Sequence, residues 1–271
     1  MRSTALGLIV LMHACGALAD EATSDPEPES SYVLGLAIKS APEYEGSDLR
    51  VLKIRPLWAY RYGRFKISTS GASAVMGFAG DAVGSGVSAE LLRTDRWRLG
   101  AALRLDGGRP SGDSIHLRGL PDIRGTLRGR FFTTYRIDDE WGLSGSVSQD
   151  LLGRQGGAEV GLNLGYRQRI SETTSVSAGA GVALGDSRYM RSYFGVTEAQ
   201  AASTGLRAYA PGAGPKNSSL GVGVMTALTP NWIAFANAGA SRLLGDAASS
   251  SLTRKTNSAS LTIGLAYRCC K

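Results

Sequence analysis

The chain has 271 residues, a formal net charge of +7, 36 Gly, 9 Pro and only 3 Cys. The length suits one domain of roughly 250 residues, and no stretch after the start is apolar for long enough to form a membrane-crossing helix. Three cysteines, of which Cys269 and Cys270 are adjacent, exclude a disulfide framework or a cysteine-based metal site. The positive charge is spread singly along the chain, so a nucleic-acid partner is not expected.

Residues 1–19 read as an export signal. Arg2 supplies the positive start, Leu6 to Met12 the apolar run, and Ala17-Leu18-Ala19 a small-residue cleavage site before Asp20. Cleavage is therefore expected between Ala19 and Asp20. Residues 20–31 are acidic, carry Pro26 and Pro28, and read as a disordered periplasmic arm.

From residue 32 the chain alternates between apolar and polar positions, the period of a strand with two different faces. The expected strands begin with SYVLGLAIKS (residues 31–40), VLKIRPLWAY (51–60) and a third from Phe65 that fades near Ala72. Further strands are expected at 85–92, 97–105, 125–136, 141–150 and 159–169. The last four are expected at 176–184, 220–228, 232–243 and 258–268. Connections alternate between short and long, and the longest, Gly185 to Ser218, far exceeds a hairpin turn.

This pattern predicts an all-β fold over residues 32–271. The expected architecture is a closed antiparallel transmembrane β-barrel of about twelve strands, with short periplasmic turns and long extracellular loops. Closure matters because hydrocarbon offers no partner to an unpaired backbone group. Outer-membrane lipid is the implied surrounding. Trp58, Tyr60, Tyr62, Trp97, Tyr135, Trp141, Tyr166, Trp232 and Tyr267 all fall near short turns or the chain end, where they would form an interfacial ring.

Opposite the apolar face stand Lys53, Arg55, Arg98, Arg104, Arg128, Arg130 and Arg167. At mid-depth a lipid-facing Arg costs about 2–4 kcal/mol, so these side chains are expected inside the barrel. They would either line an anion-preferring lumen or bond to loop carboxylates and carbonyls, with Glu90 as the main acidic residue of matching parity. In the long loop, Tyr189, Met190, Tyr193 and Phe194 are candidate contacts, for a partner or for the barrel mouth.

Catalytic signals are weak. Apart from His13 in the signal, His116 is the only histidine, and its neighbours Ser111, Asp113 and Ser114 share one loop. No phosphate loop or metal-ligand spacing occurs, and no cofactor is implied.

Several pieces together resemble the MipA/OmpV family (the MltA-interacting protein family) of outer-membrane proteins. They are PEYEGSD (42–48), RPLWAYRYG (55–63), LPDIRGT (120–126), LLGRQGG (151–157), GDSRYMRSYFGVTEAQAAS (185–203), AGPKN (213–217), SRLLGDAASS (241–250) and GLAYR (264–268). The resemblance implies a non-enzymatic outer-membrane barrel acting as a scaffold. Its implied partners are a lytic transglycosylase and a murein synthase, which would place it in peptidoglycan assembly. A small anion-preferring channel and a surface adhesin acting through the long loops are the alternatives. The family usually ends in Tyr-Arg-Phe, whereas this chain ends Tyr267-Arg268-Cys269-Cys270-Lys271.

Overall fold

A computed structural model describes residues 30–69, 72 and 85–269. The expected cleavage point at Ala19 and Asp20 lies outside them. The sheet comprises β1 (Ser30–Pro42), β2 (Arg50–Tyr62), β3 (Phe65–Ser68), β4 (Ser85–Arg93), β5 (Trp97–Asp106) and β6 (Thr126–Arg136). It continues with β7 (Trp141–Asp150), β8 (Ala158–Arg169), β9 (Thr174–Gly185), β10 (Gly214–Ala227), β11 (Trp232–Leu243) and β12 (Asn257–Cys269). Each strand pairs antiparallel with its neighbours in sequence, and β1 also pairs with β12, so the twelve strands close into a barrel.

The strand parity sorts the two faces. In β1, Leu34, Leu36 and Ile38 point outward, Leu36 with 60 % of its surface exposed, while Val33 at 0 % and Ala37 point inward. In β2, Leu52 and Ile54 lie outside and Leu57 and Ala59 inside. A sheet with apolar side chains on its outer surface has its stable surroundings in lipid, not water.

The outward aromatics gather at the short-turn end and pair across strands. Trp97 opposes Tyr135 with rings 4.7 Å apart, Trp141 opposes Tyr166 at 5.0 Å, and Trp232 opposes Tyr267 at 5.5 Å. Rings with an apolar body and a polar edge settle at the membrane–water boundary. In barrels of this kind the short-turn end faces the periplasm.

The inside of that end holds an apolar cluster beside the buried Ser31, Lys66 and Ser68. Val33, Leu57, Ala59, Ile233, Phe235 and Ala266 form one cluster, joined by Ala72. Gly264 makes room for the Phe235 ring: a Cβ built there would lie 2.3 Å from it.

Some expected boundaries move. β1 starts at Ser30, one residue before the expected strand, because Ser30 pairs with Tyr62. β3 ends at Ser68 rather than near Ala72. Thr69 N still donates to Trp58 O at 2.9 Å, but the Thr69 hydroxyl takes the Trp58 N–H at 3.0 Å, a side-chain bond in the place of the second ladder bond. β10 starts at Gly214, inside the stretch expected to be loop. Within the long loop two helices form, α1 (Ser187–Phe194) and α2 (Glu198–Thr204), and the next loop holds α3 (Gly245–Ala248). Cys269, paired with Tyr32 in the closing ladder, is disulfide-bonded and not a free thiol.

Candidate functional site: a helix in the barrel mouth

Helix α1 begins where Asp186 caps it, Oδ1 accepting from Tyr189 N at 2.6 Å. Tyr189 and Tyr193, and Met190 and Phe194, are each four residues apart, so all four fall on one face. That face is turned into the barrel. Tyr189, Met190 and Phe194 are buried and pack on Leu243 of β11 and Ala247 of α3. Arg188 and Arg191 lie on the opposite, exposed face.

The approach of α1 to the wall depends on Gly157. Its φ is +59°, and a Cβ there would sit 2.3 Å from both Asp186 Oδ1 and Tyr189 N. Only glycine tolerates both conditions.

Two buried polar groups hold the helix. Lys216 Nζ meets Glu159 Oε2 at 2.8 Å, Glu45 Oε1 at 3.4 Å and the Tyr189 hydroxyl at 3.2 Å. Its ammonium also stands 5.0 Å from the Tyr189 ring centre. Lys216 reaches the interior through a bulge. Even-numbered residues of β10 such as Leu220 and Val222 face lipid, and the register shift between Pro215 and Asn217 turns Lys216 inward.

The second group is built on Arg128. Its Nε donates to Asp106 Oδ2 at 2.8 Å, its other nitrogens to the carbonyls of Gly156 and Gly157, and its guanidinium lies 5.4 Å from the Tyr189 ring. Tyr193 stacks on Tyr189 at 4.5 Å and donates to Asp106 Oδ2 at 3.3 Å. Burial, reinforced by the Asp106 carboxylate and opposed by Arg128, pushes the Tyr193 phenol up to about 12. Burial also pushes the Tyr189 phenol well above its ordinary value, against the pull of Lys216.

The remaining loops tie the cap together. The Tyr44 hydroxyl donates to Leu252 O at 3.0 Å, Ser250 Oγ to Phe194 O at 2.6 Å and Arg109 to Tyr193 O at 2.6 Å. Asp150 accepts from Leu152 N, Gly156 N and the Thr126 hydroxyl, which shapes the LLGRQGG loop beside α1.

The structure spreads the other sequence-selected basic residues along the wall. Arg98 lies 3.4 Å from Glu90, which also pairs with Arg93. Arg130 donates to Ser146 Oγ at 3.0 Å. Lys53, Arg55, Arg104 and Arg167 occupy inward register positions, Arg104 directly opposite Arg128 and Lys53 directly opposite Lys39. Sequence reasoning missed Lys216, Glu159, Glu45 and Asp106. His116 does not join Ser111. Its Nε2 sits 3.0 Å from Asp48, while Ser111 is bonded to Asp122.

Solved structures similar to the chain include outer-membrane barrels. The KdgM porin is 9 % identical with a TM-score of 0.44, covering 87 % of this chain and 98 % of its own. An outer membrane channel of Pseudomonas putida F1 is 12 % identical with a TM-score of 0.46, covering 93 % and 99 %. The NanC porin is 9 % identical with a TM-score of 0.45, covering 86 % and 98 %. No curated protein sequence matches the chain. The family model described as MltA-interacting protein MipA matches residues 34–269, nearly the whole described barrel. The chain belongs to the MltA-interacting protein MipA family, and its place is the outer membrane.

Proposed function

We propose that this barrel is non-enzymatic and works by interaction, as a scaffold for envelope and murein assembly, and not by passing solutes. The observation that carries the reading is the occupied mouth. Helix α1 lies in it with its apolar face inward, beside Lys216 paired to Glu159 and Glu45, while Arg128 holds Asp106 and the loop carbonyls next to it. Two charged clusters that anchor a helix inside the mouth favour a fixed surface over a wide open conduit. The family description names MltA as an interaction partner, and the family resemblance implies a murein-cleaving lytic transglycosylase together with a murein synthase. Those partners are periplasmic, so the short turns at 137–140, 170–173 and 228–231, together with residues 20–29, are the contact surface. Cross-linking from Glu172 and Asp139 in envelopes should capture a murein enzyme. Recovery of none would overturn the reading.

A second reading, an anion-preferring channel, draws on the inward positions of Arg104, Arg130 and Arg167. Planar-bilayer recording separates the two. A steady anion-selective conductance that Arg128→Glu with Arg130→Glu reverses would favour the channel, and a silent barrel favours the scaffold.

A further inference from the structure

Outside the plug, the cap carries a second feature that the scaffold reading does not use. Between α1, the loop of residues 107–125 and the loop of residues 151–157 lies a cavity of about 910 Å³. That size is within the range of small-molecule sites. Its walls hold five arginines, Arg109, Arg124, Arg154, Arg188 and Arg191, against the single carboxylate of Asp122.

Asp122 does not neutralise them. It accepts from Ser111 N and Ser111 Oγ, both at 2.7 Å. Among the described residues none of the five arginines is ion-paired with a carboxylate. Arg109 and Arg154 spend one nitrogen each on the carbonyls of Tyr193 and Gly125, at 2.6 and 2.5 Å, leaving most of their donors uncommitted. Arg188 and Arg191 stand three apart on α1, a spacing at which like charges repel. Burial pulls the Arg109 guanidinium below its ordinary value, the direction expected of a cation without a counter-charge.

The backbone at the rim is also unusual. Gln155 lines the cavity with φ at +66°, and it is the non-glycine residue with positive φ among those described. Its carbonyl accepts from Ser192 Oγ of α1 at 2.7 Å, which fixes the loop against the helix. Strain of this kind in a non-glycine residue gathers at ligand sites.

We propose that this cleft binds a saccharide bearing several oxyanion groups, phosphate or carboxylate. Guanidinium forks match both groups bidentately, and an array of them selects for a multiply charged ligand over a single ion. The amide of Gln155, and the N–H and O–H donors that the capping box leaves on Gln200 and Thr197, suit sugar hydroxyls at the same cavity. Two sources share this chemistry, the phosphorylated glucosamine headgroup of a lipid in the same leaflet and a free acidic oligosaccharide.

The test uses the full detergent-folded barrel and calorimetric titration with three probes: a glucosamine disaccharide bisphosphate, a tetra-galacturonate and neutral maltotetraose. Saturable binding of at least one acidic probe, with none of maltotetraose, is expected. Affinity should fall by about tenfold or more in Arg188→Gln with Arg191→Gln, and with rising salt. Preference for the bisphosphate assigns the lipid source, and preference for the galacturonate assigns the free sugar. Absence of binding, equal binding of maltotetraose, or binding unchanged in both that variant and Arg124→Gln with Arg154→Gln would overturn the proposal. The heat-dependent mobility shift of a folded barrel confirms that each variant is intact.

Discussion

Lys216 and Glu159 meet inside the barrel mouth, Nζ to Oε2 at 2.8 Å, with the Tyr189 hydroxyl 3.2 Å from the same ammonium. A cation buried this deeply is tolerated only while its partners remain. Glu159→Gln leaves it with Glu45, which is 3.4 Å away and largely solvated. Loss of one member of a fully buried pair costs about 3–5 kcal/mol, and the partial exposure of Glu159 places this pair toward the lower end. The readout is tryptic cleavage at Arg188 and Arg191, which requires α1 to leave the mouth. In the regime where cutting is slower than reclosing, cleavage should accelerate by about a hundredfold. Lys216→Met, which removes the buried charge and keeps the volume, should accelerate it far less.

Gly157→Ala tests the same helix from the other side. The new methyl would meet Tyr189 N and Asp186 Oδ1 at 2.3 Å, on a backbone with φ at +59°. The strained backbone alone costs about 1–3 kcal/mol, and displacing Asp186 adds the loss of a helix cap, typically about 1 kcal/mol. Cleavage at Arg188 should rise while the barrel itself, measured by its heat-dependent mobility, stays folded.

The phenol of Tyr193 gives a pH test. In the docked helix its value is raised to about 12 from an ordinary 10.0, chiefly by burial and then by Asp106. Docking therefore favours the protonated form. The contribution is fully present below about pH 10 and is lost as pH rises from there through about 12, at a limiting slope of about 1.4 kcal/mol per pH unit. Ultraviolet difference titration should show a tyrosine ionising late in that window, absent in Tyr193→Phe. A Tyr193 that titrates with the exposed tyrosines would place its ring outside the mouth.

Much of the barrel was legible because a strand's period of two survives wherever one face meets lipid. The bounds Trp141–Asp150 and Trp232–Leu243 fall where the sequence puts them, each announced by an outward tryptophan after a turn. The mouth was harder to read. Lys216 has the parity of a lipid-facing residue, and only the bulge at Pro215 and Asn217 reverses it. Helix α1 is too short for its periodicity to stand out among loop residues. The local signals were present in the Asp186 cap and in Thr197-Glu198-Ala199-Gln200, whose first and last residues form a capping box. The partners of Lys216 come from Glu45, Glu159 and Tyr189, on two loops and β8, and no local pattern links such distant positions.

The outward face is tested most directly at Leu36. It sits in the middle of β1, 60 % exposed, between Pro56 of β2 and Leu265 of β12. A solvated surface would accept arginine there at almost no cost. In hydrocarbon, Leu36→Arg should cost about 2–4 kcal/mol at mid-depth, and Tyr32→Arg, at the aromatic interface, about 0–1 kcal/mol. Reversible urea unfolding in lipid vesicles measures both. The contrast between the two positions, more than either value alone, distinguishes a bilayer from a protein partner, because only a bilayer grades its penalty with depth along the strand. Equal penalties at Leu36 and Tyr32 would mean that this face of β1 is covered by something other than lipid.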